Sequence, residues 1–388
     1  MDLTAETLLE QAAARTGLDD FGAASFREGL DRLVDGLARE AHLNAVGEAM
    51  APEVLLGYLT SRLEVTDWHR RHPEMGAADV TPPVVMIGMG RTGTTILHDL
   101  LGQDPANRVP RTWEVDRPCP PPEAATHDDD PRIAEVQAQL EVMDQIHPEF
   151  QAMHPTGPLL AQECIRITGS AFASLIFLSQ FRLPSYFDWL THQADLAPAY
   201  RWHRRFLQLL QWHDPGERWI LKSGAHLWSL PALVAEYPDA RFIQTHRDPL
   251  RVVASLSSLF ATVRETGSDD VSIAQVAGDW TDPILEALDL AVTAREDGTV
   301  PDDRVMDIQY ATFVADPIAT VRELYARWDL ELTPDVEGRM RAFLDEHGQH
   351  QHGVHRYAFA DTGQSAGELR ERTRRYCEYF DVPEEPLP

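Results

Sequence analysis

Three groups of residues in this chain have the types and spacing to handle an anionic ligand. The first is Gly88-Met89-Gly90-Arg91-Thr92-Gly93-Thr94-Thr95. Its glycines let the backbone curl, so that successive N–H groups face one anion at the positive end of the following helix. The Gly88 to Gly93 frame is that of a Walker A loop, but Thr94 stands where the lysine belongs, and the basic residue comes earlier, as Arg91. A nucleoside triphosphate site needs that lysine on its β/γ-phosphates and an acidic residue for magnesium. The loop has neither, whereas a less charged phosphate ligand could be held by arginine, hydroxyls and backbone N–H groups without metal. The second group is Thr245-His246-Arg247-Asp248-Pro249, with Ser255 eight residues after Arg247; arginine offers a planar fork suited to phosphate oxygens. The third is Lys222, the only lysine of the chain, at the end of Trp219-Ile220-Leu221 and just before Ser223-Gly224-Ala225-His226. An arginine bias explains the scarcity of lysine, and it marks position 222 as one where arginine substitutes poorly.

These turns need strands before them and helices after them. Val84-Val85-Met86-Ile87, following Thr81-Pro82-Pro83, is a short apolar run of the kind found in a central parallel strand, and a helix is expected over residues 94–101. Residues 219–221, 241–245 and 304–309 read as further strands, with helices over about 226–236, 249–263, 271–296, 316–328 and 333–346. Alternation of this kind implies right-handed βαβ units around a parallel sheet, with ligands bound beyond the carboxyl ends of the strands. Residues 1 to about 75 read as helical, with Leu8, Leu9 and Ala12 at helical spacing and a Ser25/Glu28 capping box. Further helical runs are expected at about 132–146, 157–181 and 198–213, after a Pro-rich loop at 117–122. The expected fold is therefore α/β: a P-loop-like parallel sheet flanked by helices (79–388), with a helical N-terminal extension (1–78) and a helical insertion (120–215).

Composition narrows the ligand. With 388 residues the chain can bury a substantial core, yet its formal net charge is −28. Such a surface repels nucleic acid and anionic lipid, so an anionic ligand requires a local basic pocket. Cys119, Cys164 and Cys377 are far apart and form no CxxC pair, which speaks against a zinc ribbon or disulfide framework and fits a reducing compartment. The N-terminus lacks a basic, then apolar, leader, and the longest apolar stretch, near 171–181, is too short to span a bilayer. A cytoplasmic chain with no membrane span, no nucleic-acid partner and no metal is the expectation; homo-oligomerisation is left open.

Gly90-Arg91-Thr92-Gly93-Thr94-Thr95 resembles the 5′-phosphosulfate loop of sulfotransferases that use 3′-phosphoadenosine 5′-phosphosulfate (PAPS), closest to the bacterial members. Thr245-His246-Arg247-Asp248-Pro249 with Ser255 is similar to that family's 3′-phosphate motif, and the resemblance covers about residues 80–360. It implies that Arg91, Thr92, Gly93, Thr94 and Thr95 hold the 5′-phosphosulfate, and that Arg247 and Ser255 hold the 3′-phosphate. Tyr310, in Asp307-Ile308-Gln309-Tyr310, would lie against the adenine. His355 or Arg356, in His352-Gly353-Val354-His355-Arg356-Tyr357, would close over the 3′-phosphate, although the Arg-Lys-Gly pattern of the animal enzymes is absent. Lys222 would meet the charge on the leaving phosphate oxygen.

For the base that takes the acceptor proton there are two candidates. One is His226, which follows Lys222 with three residues between them rather than the one of the animal enzymes. The other is Glu114, in Pro110-Arg111-Thr112-Trp113-Glu114 at the expected second-strand position, two or three residues later than the glutamate of other branches. The acceptor would be a small, partly apolar molecule with a hydroxyl or amine, drawing on the aromatics of the insertion (His147, Phe150, His154, Phe172, Phe177, Tyr186, Trp189). A P-loop kinase or hydrolase, and a nucleotide-binding module without catalysis, are the competing readings. The missing Walker lysine speaks against the first, and Lys222 against the second.

Overall fold

In the computed structural model, residues 3–146, 150–347 and 357–388 are described. Five parallel strands form the centre: β1 (Val84–Met86), β2 (Asn107–Arg108), β3 (Arg218–Lys222), β4 (Arg241–His246) and β5 (Val305–Gln309), in the order β2-β3-β1-β4-β5. The register pairs Met86 with Lys222 on one side and with Ile243 on the other, so β1 and β3 end at one level while β4 runs three residues further, to His246. Alternate side chains of a strand point to opposite faces. Val85, Leu221 and Phe242 accordingly join one core, and Val84, Met86, Ile220 and Ile243 join another. Both faces are covered, which is why these strands read as continuous apolar runs.

One layer is built by the helices Thr94–Leu101, Pro317–Arg327 and Pro334–Glu346, whose Leu97, Leu100, Val321, Leu324 and Met340 pack on Met86 and Ile243. The opposite layer contains Pro249–Glu265, Ile273–Glu296 and the first helices of the chain. The long helix Ala45–Arg71 is tied to the 120–215 segment through Arg62. Its buried guanidinium donates to the carbonyls of Phe21, Ala23 and Ser170 and lies 4.3 and 4.4 Å from the rings of Phe26 and Trp202. Three donors each finding a carbonyl is what makes a buried arginine tolerable.

Three sequence expectations need correction. The run 157–181 is not one helix: Gly157 and Pro158 open it, and the backbone of 158–162 pairs with 110–113 instead, through Thr112 N–H to Leu160 C=O (3.0 Å) and Gln162 N–H to Pro110 C=O (2.7 Å). Short helices follow at Cys164–Gly169 and Ile176–Gln180. Residues 110–114 do not form the second strand; β2 ends at Arg108, and Glu114 lies on the short helix Thr112–Asp116. The helix at 226–236 is split, because Pro231 starts a new helix, Leu230–Glu236, after a 3₁₀ turn at Gly224–Trp228. A helix that the periodicity reading did not anticipate, Ala366–Tyr379, packs on Pro249–Glu265 and Ile273–Glu296.

Candidate active site

The three turns meet beyond the carboxyl ends of β1, β3 and β4. After β1 the chain adopts left-handed backbone at Arg91 (φ 71°) and Gly93 (φ 87°) before entering the helix Thr94–Leu101. For arginine that conformation costs energy, and such strain concentrates at functional loops. A methyl on Gly93 would press on Phe313 and Tyr310 at 3.1–3.3 Å, and one on Gly88 would strike Thr245. Gly93 is therefore demanded by both conformation and space, and Gly88 by space.

Thr92 turns inward. Its buried hydroxyl donates to Met89 C=O and accepts from Thr245 Oγ1, each at 2.5 Å. With the hydroxyl so engaged, what Thr92 can offer an anion is its backbone N–H. Thr95 faces the opposite way and accepts from Lys222 Nζ at 3.1 Å.

After β4 each residue of the second motif has a separate task. His246 bonds Tyr376 Oη (2.8 Å) and Asp307 (2.9 Å). Asp248 is buried; it caps the helix Pro249–Glu265 through Leu250 N–H and accepts two bonds from Arg370 at 2.7 Å. Arg247 reaches back: its guanidinium donates to Arg91 C=O at 2.9 Å and lies 3.9 Å from the Tyr310 ring centre. Ser255, two turns along the same helix, accepts from Arg91 Nε at 3.0 Å. Arg91, Arg247, Ser255 and Tyr310 are thus in mutual reach.

Lys222 ends β3 and is almost wholly buried, with Nζ 2.5 Å from Glu163 Oε1. Glu163 occupies the N-cap position of Cys164–Gly169 without capping it, so its side chain is left for the lysine. Burial acts to raise the Glu163 pKa, but Lys222 outweighs it and holds the carboxyl below its usual range. Burial, with Lys222 beside them, pushes His98 to about 3 and His154 to about 4, so both rings are neutral at working pH. The 157–181 helix reading hid Glu163. The available signal was an acid inside the mostly apolar run Pro158–Ile165, since a buried carboxylate requires a cation.

Neither expected base is in this cluster. Glu114 is fully buried, pairs with both terminal nitrogens of Arg108, accepts from His127 Nε2 (3.0 Å) and takes the Arg111 N–H (2.8 Å). Burial would raise its pKa, yet Arg108 and His127 bring it down to about 2. So engaged, it ties β2 to the loop at 127 and has little capacity left for an acceptor proton. His226 is also buried, with Nδ1 2.7 Å from Tyr200 Oη; burial lowers its pKa to about 3. Its Nε2 is unpartnered, and the ring lines a small, mostly apolar cavity of about 40 Å³ with Leu175, Leu196, Tyr200 and Trp228, partly open to solvent. Cys164 and Ser223, the chain neighbours of Glu163 and Lys222, lie in the wall of the same cavity. His355 and Arg356 lie outside the described residues.

Glu114→Gln removes the charge that Arg108 was buried against, and breaking such a pair costs roughly 3–5 kcal/mol. Thermal unfolding of the variant is expected to fall by several degrees at pH 7. Because the folded pKa is depressed, Glu114's contribution is present above about 4.5 and disappears as pH falls toward 2. The wild-type and variant melting temperatures should converge there.

Glu114, His127 and Asp214 form the one group with metal-like spacing among the described residues, but Arg108 already pairs with both carboxylates. No helix among the described residues is long and apolar enough to cross a membrane.

The same architecture occurs in solved proteins. Sulfotransferase STF9 from Mycobacterium avium superposes with a TM-score of 0.91 at 29% identity, covering 98% of each chain. Sulfotransferase STF1 from Mycobacterium tuberculosis H37Rv gives 0.84 at 32% identity, covering 95% of this chain and 98% of its own. In sequence, the omega-hydroxy-beta-dihydromenaquinone-9 sulfotransferase Stf3 of Mycobacterium bovis is 26% identical over 297 residues, 73% of this chain and 71% of that protein. Residues 82–334, which hold all three turns, match the sulfotransferase family, and with a 32%-identical relative spanning nearly the whole chain they make this protein a member of that family.

Proposed function

We propose that the protein transfers a sulfuryl group from PAPS to the hydroxyl, or amine, of a small and partly apolar acceptor, by in-line displacement without metal. The observation that carries this reading is the contact of Arg247 with Arg91 C=O, which lets two arginine-bearing strand tips serve one bisphosphorylated nucleotide. The backbone of 91–95 would receive the 5′-phosphosulfate, with Thr95 beside Lys222. Arg247, with Ser255 near it, would take the 3′-phosphate, and Tyr310 would flank the adenine.

Two groups are ready for the chemistry. Glu163 takes the acceptor proton; the acceptor oxygen then bonds to sulfur as the sulfur–oxygen bond to phosphate breaks. The electron pair leaves on that phosphate oxygen, where Lys222 meets it. In the free protein the two are paired with each other. Lys222 must turn from Glu163 to the leaving oxygen, and that move frees the carboxylate to act as base. The small cavity whose wall includes their chain neighbours Cys164 and Ser223, with Ile165, Leu175, Leu196 and Trp228, favours an apolar acceptor group. That Stf3 is named for a menaquinone derivative with a hydroxyl favours the same class.

Calorimetry with 3′-phosphoadenosine 5′-phosphate (PAP), AMP and ATP in the presence of a chelator tests the donor. PAP is expected to bind at least about tenfold tighter than AMP. Equal affinities, or a requirement of ATP for magnesium with PAP not bound, would overturn the reading.

A further inference from the structure

All three nitrogens of Arg247 are engaged. Its Nε and one terminal nitrogen hold the two oxygens of Glu385 at 2.9 and 3.1 Å, and the other terminal nitrogen is on Arg91 C=O. Arg251, one helical turn along, brings a second guanidinium to the same carboxylate. Its Nε lies 3.6 Å from Glu385 Oε2, buried and without a hydrogen-bond partner, while a terminal nitrogen donates to Pro386 C=O at 3.1 Å. Two cations therefore flank one singly charged group, and the buried Arg251 Nε goes unused. A phosphate monoester, with close to two negative charges and three terminal oxygens, would complete the set.

We propose that Glu385 is a resident stand-in for the 3′-phosphate, and that Arg251 is a second phosphate ligand that engages fully when the nucleotide displaces that carboxylate. This rests on the PAPS reading above. The exchange needs little rearrangement, because the backbone around Glu385 is anchored independently of its side chain. Glu385 N–H is held by Asp248 at 2.7 Å, and Phe359 N–H by Pro388 C=O at 3.2 Å. The side chain is a quarter exposed, so a rotation carries it into water. Asp248, which anchors the segment, is the neighbour of Arg247 in sequence and is itself fixed by Arg370. Glu385 thus keeps the arginine pair partly neutralised and aligned while the site is empty. It also competes with nucleotides that carry a 3′-phosphate and leaves those without one unaffected.

Calorimetry of Glu385→Gln and Arg251→Gln with PAP and with AMP is the test. Glu385→Gln is expected to bind PAP about tenfold tighter and Arg251→Gln about tenfold weaker, with AMP unchanged in both. Weaker or unaltered PAP binding in Glu385→Gln, in a variant whose melting temperature shows it folded, would make Glu385 a fixed orienter of Arg247 and overturn the exchange. Unaltered PAP binding in Arg251→Gln would remove Arg251 from the site. Failure of the wild-type protein to prefer PAP over AMP would instead sink the donor assignment, and this inference with it.

Discussion

Lys222→Ala is expected to lower turnover by about 10²–10³-fold or more, while PAP affinity changes little. Removing a single donor aimed at developing charge in a dry site costs on that order, and Lys222 is the only ammonium near the loop. The substitution has a second effect that must be separated from the first. Glu163 loses its cation while remaining largely buried, so the protein should also lose stability, and the Glu163 carboxyl should move up as burial acts unopposed. Pairing Lys222→Met with Glu163→Gln removes both charges together. That double variant should recover most of the melting temperature and none of the activity. Single-turnover rates and calorimetry decide the matter: turnover within a few-fold of wild type in Lys222→Ala would take the lysine out of the chemistry.

Glu163→Gln should reduce turnover by about 10²–10⁴-fold, the range for loss of a positioned general base. His226→Ala should keep near wild-type rates with a good acceptor, and Glu114→Gln should lose stability rather than per-molecule activity. The pH dependence carries the sharper signature. In the free protein Lys222 holds Glu163 low, so the base form is present at neutral pH and is lost only as pH falls below the usual carboxylate range. Once Lys222 turns to the donor, the depression lifts. The acid limb of kcat should therefore lie at higher pH than that of kcat/KM, and both limbs should vanish in Glu163→Gln. A surviving acid limb in that variant, with rates near wild type, would return the role to another residue.

The sequence reading was strongest where local rules and the site coincide. Strand–turn–helix junctions with glycine and arginine at fixed offsets are legible because backbone curvature and anion binding impose the same residues, as in 88–95 and 245–249. The alternation of strands and helices was equally legible, since buried parallel strands leave continuous apolar runs such as Val84–Ile87. Side chains whose purpose depends on contacts distant in sequence were not legible. Glu163 lies 59 residues from Lys222, in a stretch whose apolar content read as helix until its backbone proved to pair with 110–113. Glu114 stood near a place where relatives of other branches keep an acid, but a buried arginine six residues earlier claimed it. Glu385, 138 residues from Arg247, had no local pattern to mark it. The inward turn of the Thr92 hydroxyl was not legible for a related reason, because sequence gives a side chain's identity and not which way it turns.

A methyl on Gly224 would come within 2.9 Å of Gly90 N, so the turn that follows Lys222 and the anion-gripping turn lie backbone against backbone. Parts packed so closely cannot wander separately: any displacement of the amides proposed to hold the phosphate is passed to the ammonium two residues before Gly224. The alignment between gripping and reacting ends is thus secured during folding, and a guest molecule need not supply the entropy of bringing them together.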